Sequence, residues 1–151
     1  MTTAHDFSFA KLGQPGNIQL SDYAGRAVLV VNVASACGFT PQYRELESLY
    51  EARAARGLVV IGVPCNDFGH QEPGAEQEIR EFCDNSYHVT FPMAGKIEIV
   101  ARDRRHPFYK WVAEELGESS LPRWNFQKYL IGKDGRVLEV FPPKAAPLGP
   151  D

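Results

Sequence analysis

Apolar and polar positions along the chain fall into stretches of different period, and each period predicts an element. Phe7 and Phe9 alternate with polar neighbours, Leu12-Gly13-Gln14-Pro15-Gly16 turns, and Ile18 and Leu20 return, which predicts a short N-terminal hairpin within 5–20. Six of the seven residues 27–33 are apolar and four are Val, the pattern of a strand covered on both faces of an α/β sheet. Residues 58–63 form a second such run. Between them Tyr43, Leu46, Leu49, Tyr50 and Ala54 recur at three- and four-residue spacing, so a helix from Pro41 packs one face on the sheet and ends at Gly57. Strand, helix and strand in this order imply a parallel crossover.

Further on, the pattern predicts a helix over 75–84 with Ile79, Phe82 and Cys83 on one face, and a strand at 96–99. His106-Pro107-Phe108 opens a helix that turns Phe108, Trp111, Val112 and Leu116 inward. Two strands, 125–131 and 136–141, flank Gly132-Lys133-Asp134-Gly135, whose Asp-Gly marks a hairpin. Residues 142–151, rich in proline and without period, read as a disordered tail. No repeat or linker divides the chain, so a single domain over 1–151 is expected, of α/β class.

The chemistry gathers where the first buried strand ends. Thr40 before Pro41 offers an N-cap hydroxyl and a proline at the first helical position. Cys37 lies in the turn just before, where unpaired backbone N–H groups and the helix dipole stabilise an anion, so a reactive thiolate is expected there. Thr40 occupies the third position after Cys37, so no local dithiol exists. The second buried strand leads into a loop over 64–74 dense in turn formers, at the sheet edge where sites of open α/β sheets are built. The loops carrying Cys37 and Gln71 are therefore expected to face each other.

Composition narrows the class. A net charge of −3 and a pI near 5.8 give no basic field, which argues against nucleic acid. The opening residues 1–12 lack a basic n-region and an apolar h-region, and no apolar stretch reaches membrane-spanning length, so a cytoplasmic protein is expected. Three cysteines are an odd number without an export signal, against a structural disulfide framework. Cysteine and histidine spacings fit no metal site, and neither a GxGxxG turn nor a phosphate loop appears, so no cofactor is expected.

The stretches Asn32-Val33-Ala34-Ser35-Ala36-Cys37-Gly38-Phe39-Thr40, Pro64-Cys65-Asn66-Asp67-Phe68-Gly69-His70-Gln71-Glu72-Pro73-Gly74 and Trp124-Asn125-Phe126 together resemble the glutathione peroxidase family, in its cysteine-containing, non-selenium form. The resemblance implies a thioredoxin-like fold, with a central mixed β-sheet flanked by helices. It implies a peroxidase that reduces hydrogen peroxide and organic hydroperoxides through Cys37 as peroxidatic cysteine, with Gln71, Trp124 and Asn125 as neighbours. It further implies that Cys83 is the resolving cysteine and that thioredoxin, or glutathione, is the reductant. The helix from Ala75 would then unwind locally to deliver Cys83. Asp67 departs from the glutamine common in the family. A short segment before Arg123 departs from the longer loop of tetrameric members, which favours a monomer or weak dimer.

Such chemistry suits these residues. Attack on a hydroperoxide needs a thiolate and donors for the leaving oxygen, and the indole N–H of Trp124 with the amides of Gln71 and Asn125 are donors that carry no charge. The product is a sulfenic acid, which condenses readily with a thiol. Cys65, beside a strand end, reads as a core residue. Arg102, Arg104, Arg105 and Arg123 read as a solvated face, with an anion site for glutathione as the sharper alternative, and His70 as an exposed loop histidine. Two other functions share these residues: a peroxide sensor that relays oxidation to a partner, and a non-catalytic binding module.

Overall fold

The computed structural model describes residues 2–35, 37–72 and 74–145. The N-terminal alternation forms β1 (Ser8–Ala10) and β2 (Asn17–Gln19), antiparallel, with buried Phe9 opposite Ile18. The valine-rich run becomes β3 (Val28–Val33), followed by α1 (Gln42–Arg53), β4 (Val59–Pro64), α2 (Glu76–Phe82), α3 (Pro107–Leu116), β5 (Lys128–Ile131) and β6 (Val137–Phe141). The main sheet runs β4-β3-β5-β6: β4 lies parallel to β3, β5 antiparallel to it, and β6 antiparallel to β5. Mixed pairing thus places β3 at the centre, buried along its whole length.

Because side chains alternate along a strand, β3 and β4 feed two separate cores. Val28, Val30, Ile61, Val63 and the following Cys65 join Phe9, Phe108, Trp111 and Tyr129 on one face, under α3. Leu29, Val31, Val33 and Val60 join Tyr43, Leu46 and Ile79 on the other, under α1 and α2, and this second core contains both Cys37 and Cys83. Cys65 is therefore on the opposite side of the sheet from the other two cysteines.

The ends of the elements show where tertiary bonding overrides local signals. The helix expected from Pro41 begins at Gln42, with no side-chain cap, because the Thr40 hydroxyl is engaged with Cys37 and Ala34 instead. It closes through a 3-10 turn onto Gly57 at φ 97, a left-handed position that glycine adopts without strain. The helix expected over 75–84 ends at Phe82 and continues as a π-helical turn, Cys83–Tyr87. The strand expected at 96–99 is absent: Ile97 and Glu98 make only isolated bridges, to Cys65 and Arg105. The strand expected from 125 starts at Lys128, leaving 125–127 as a loop. Leu116, expected inward on α3, is 38% exposed, while Phe108, Trp111 and Val112 are buried.

The start of the expected tail is fixed rather than disordered. Gln42 Nε2 donates to the Pro143 carbonyl at 2.8 Å, and Lys128 Nζ donates to the carbonyls of Pro143 and Ala145 at 2.9 and 2.7 Å. The rest of that segment, 146–151, lies outside the described residues. Among the described residues no helix is long and apolar enough to cross a membrane.

Candidate active site

Three loops at the carboxyl ends of β3 and β4 and ahead of β5 build the site. In the first, Thr40 closes the turn around Cys37. Its Oγ1 accepts the Cys37 N–H at 2.8 Å and donates to the Ala34 carbonyl at 2.8 Å, while its own N–H donates to the Cys37 carbonyl at 3.0 Å. The loop is thereby held so that the Phe39 N–H donates to Cys37 Sγ at 3.3 Å. A backbone donor is thus aimed at the sulfur, in a site where Cys37 is only 6% exposed.

The second loop leaves β4 with the Cys65 N–H still donating to the Val33 carbonyl at 3.2 Å, so it starts in register with the first. Asn66 Oδ1 accepts the Glu72 N–H at 2.9 Å and ties the loop ends together. Asp67, at the position where a glutamine was expected, uses Oδ2 to accept the N–H groups of Ile99 and Val100 at 2.6 and 2.9 Å, fastening the loop to the neighbouring segment. Gly69, at φ 69, lies against the indole of Trp124, and a Cβ there would stand 2.5 Å from Cη2. His70 is exposed at φ 51, with Nδ1 3.5 Å from Asn66 Nδ2.

The third loop is set by Asn32, the one polar residue of β3. Its Nδ2 donates to the Trp124 carbonyl at 3.0 Å, and its own carbonyl accepts the Phe126 N–H at 2.6 Å. Phe126 is buried at φ 67, a region costly for a bulky side chain and found where surrounding structure enforces it. This brings fully buried Asn125 to Gln71: Asn125 Nδ2 donates to Gln71 Oε1 at 3.0 Å and to the Phe68 carbonyl at 3.2 Å. Both amide hydrogens of Asn125 are thus spent. One of them reaches Gln71 through its oxygen, which leaves the Gln71 NH₂ outside the pair. Trp124 is half-buried and packs against both cores, including the one that holds Cys37.

The remaining sequence candidates separate from this cluster. Burial pushes the Cys65 thiol up to about 12 and that of Cys83 up to about 11. Cys83 is 2% exposed, beside the Tyr43 hydroxyl, and all three cysteines are free thiols. Arg105 is buried, donating to the carbonyls of Ile99 and Val100 and to Glu118, while Arg102 pairs with Glu118 and Arg104 with Glu98. These three arginines are engaged in holding 98–118 together. Sequence reasoning missed the Thr40 bridge, the Phe68 carbonyl and the contact of Gly69 with Trp124. Asn32 was legible as a lone polar residue in an apolar strand.

A family model described as glutathione peroxidase matches residues 4–113. The glutathione peroxidase of Lactococcus lactis is 45% identical over 145 residues, 95% of this chain and 91% of its own length. The hydroperoxy fatty acid reductase gpx1 of Synechocystis is 40% identical, over 96% of this chain and 89% of its own. The crystal structure of Trgpx in its apo form superposes with a TM-score of 0.75 at 41% identity, covering 97% of this chain and 88% of that one. A thioredoxin-family thiol:disulfide interchange protein from Chlorobium tepidum, 17% identical with a TM-score of 0.64, shares the fold alone. With a thioredoxin-like fold and relatives of this closeness over nearly its whole length, the chain belongs to the glutathione peroxidase family and is a peroxidase, an oxidoreductase that reduces hydroperoxides.

Proposed function

We propose that Cys37 is the peroxidatic cysteine, that Gln71 and Trp124 are its donors for the leaving oxygen, and that Asn125 positions Gln71. The observation that carries this reading is the Phe39 N–H directed at Cys37 Sγ at 3.3 Å, in a loop closed by Thr40. The thiolate sulfur attacks one peroxide oxygen; the S–O bond forms as the O–O bond breaks. Sulfur is oxidised to a sulfenic acid, and the second oxygen leaves as alkoxide or hydroxide and takes up the proton that the thiol gave up. The Gln71 amide and the Trp124 indole are neutral, so they stabilise the departing oxyanion without competing for the thiolate; one such donor is worth ~3 kcal/mol in the transition state. Hydrogen peroxide and organic hydroperoxides, fatty acid hydroperoxides among them, are the substrates.

Cys83 serves as the resolving thiol, and the resulting disulfide is reduced by thioredoxin or a similar dithiol protein, or by glutathione. Supporting this, Cys37 and Cys83 share one core while Cys65 lies across the sheet. The turn that carries Cys83 is π-helical, a rare geometry found frequently at functional sites. A relative from Escherichia coli is itself a thioredoxin/glutathione peroxidase. Among the described residues the exposed large apolar side chains are Val100, Leu116 and Leu138, too few for an extensive apolar interface, which supports a monomer or weak dimer; residence in the cytoplasm is part of the same proposal. Peroxidase turnover with thioredoxin and then glutathione as sole donor tests the reading. Cys37→Ser abolishes turnover and Cys83→Ser abolishes the thioredoxin-dependent part; unchanged turnover in Cys37→Ser overturns the assignment.

A further inference from the structure

The loop of Cys37 and the turn of Cys83 are fastened in different ways. Thr40 closes the first from within, through its hydroxyl and its N–H. In the second, α2 runs into the π-helical turn Cys83–Tyr87, His88 follows at φ 51, and the Val89 N–H donates to the Cys83 carbonyl at 3.1 Å. Carboxylates from outside that turn hold both ends of the stretch. At its start Glu76 accepts the Gly13 N–H at 2.9 Å through Oε1 and the Lys96 N–H at 3.2 Å through Oε2. At its far end Glu47, on α1 and 7% exposed, takes both donors of Thr90: Oε1 accepts the N–H at 2.7 Å and Oε2 the hydroxyl at 2.5 Å. Past Thr90 the chain is tied to β4, where the Pro92 carbonyl accepts the Gly62 N–H at 3.0 Å.

Apart from the Cys83 thiol beside the Tyr43 hydroxyl, the two bonds of Thr90 are, among the described residues, the hydrogen bonds that join 77–91 to other elements. The remaining grip of α1 on the turn is aromatic: the Tyr87 ring lies 5.5 Å from that of Tyr43, and the Arg44 guanidinium sits 5.5 Å over Tyr87. Tyr43, Arg44 and Glu47 are spaced by three and four residues, so one face of α1 covers the turn from Cys83 to Thr90.

We propose that Glu47 is a positioning residue for the resolving step: its carboxylate latches Thr90, and release of that latch lets the Cys83 turn leave α1 and bring its sulfur onto oxidised Cys37. This rests on the reading of Cys83 as the resolving cysteine. Because Thr40 closes the Cys37 loop from within, the Cys83 turn is the partner that moves, by a local opening that leaves the sheet intact.

In the step itself the Cys83 sulfur bonds to the Cys37 sulfur, the S–O bond of the sulfenic acid breaks, and the thiol proton leaves with the hydroxide as water. The Cys37 sulfur is reduced and the Cys83 sulfur oxidised by equal amounts. While the latch holds, the sulfenic acid waits. A second hydroperoxide then oxidises it to the sulfinic acid: the O–O bond breaks, one oxygen joins the Cys37 sulfur, and the other leaves as water or alcohol. Glu47 thus sets the time open to over-oxidation.

Thr90→Val tests the proposal, because it removes the hydroxyl bond and keeps the shape of the side chain. After a stoichiometric pulse of hydrogen peroxide, rapid alkylation and mass spectrometry follow the Cys37–Cys83 disulfide. It forms about tenfold faster than in the wild type, the factor that one hydrogen bond to a charged group conveys. Thr90→Ser keeps both donors and the wild-type rate. Under excess peroxide, Thr90→Val accumulates less sulfinic acid on Cys37. Amides of 83–90 exchange hydrogen faster while those of β3 and α3 do not, and in a Cys83→Ser background Cys37 is oxidised at the same rate with or without Thr90→Val. A merely structural loosening would move both of these controls. Glu47→Gln carries the test if Thr90→Val does not fold, and speeds the same step. Disulfide formation no faster than wild type in Thr90→Val, or in Glu47→Gln where it stands in, overturns the proposal. Absence of any Cys37–Cys83 disulfide in the wild type would instead overturn the assignment of Cys83 beneath it.

Discussion

Asn125 and Gln71 are 54 residues apart in the chain, and the amide of one fixes the amide of the other through a 3.0 Å hydrogen bond. The Phe68 carbonyl, which only accepts, turns the NH₂ of Asn125 toward itself at 3.2 Å. Gln71 must then present oxygen to Asn125 and keep its own NH₂ for other partners.

Asn125→Asp replaces that donor with an acceptor facing two acceptors. Stopped-flow oxidation of Cys37 by hydrogen peroxide is expected to slow by about 10²–10³-fold, the range for loss of a preorganised oxyanion donor. A rate within threefold of wild type would show that Gln71 needs no orienting partner.

Gly69→Ala is strained twice, by its positive φ and by a Cβ directed into the Trp124 ring. The indole must shift, so Trp fluorescence changes and peroxide reactivity drops, while far-UV circular dichroism stays the same. Full activity with an altered emission maximum would remove Trp124 from the donor set.

Glu72 offers a test by stability. Its folded-state titration lies above the unfolded value because burial outweighs Ser35 and Lys96. Its favourable contribution is complete below the ordinary glutamate range and is lost as pH rises through the raised value. Glu72→Gln is therefore expected to raise the unfolding midpoint at pH 7 and to change it less at pH 4. A lower midpoint at pH 7 would mean that the carboxylate is held by partners rather than strained by burial.

His106 gives the opposite slope. Burial lowers it to about 4, against a hydrogen bond to the Ser8 backbone. Its Nδ1 accepts the Phe108 N–H at 3.1 Å as the N-cap of α3, and its ring stacks on Phe9 at 4.3 Å. Above pH 6.5 the neutral ring contributes in full. Between pH 6.5 and 4 the unfolded chain takes up the proton first, so stability falls as pH falls, by about 2 kcal/mol after allowance for partial exposure. In His106→Asn, which keeps a capping oxygen, urea midpoints measured from pH 7 to 4 should lose that part of the slope.

The buried strands, α1, the hairpins and the placement of Cys37 were legible because each has a strong local period or a turn signal that agrees with its neighbours. The turn position of Cys37 followed from a strand ending ahead of a helix. What escaped was set by contacts distant in sequence. Thr40 has an N-cap signature, yet its hydroxyl is claimed by Ala34 and Cys37. Lys96 to Ile99 alternates like a strand, but Asp67 takes the Ile99 N–H from across the loop. Asn125 carries the right group for a donor, and only the position of the Phe68 carbonyl reveals that its hydrogens are already committed.

The placement of the three thiols on the sheet has one more implication. Cys65 is walled off from Cys37 and Cys83 by a layer of paired backbone that no side-chain motion crosses. A Cys37–Cys65 or Cys65–Cys83 crosslink recovered from cells would therefore be a chemical record of chains oxidised before they folded, and its abundance a gauge of how often peroxide outruns folding.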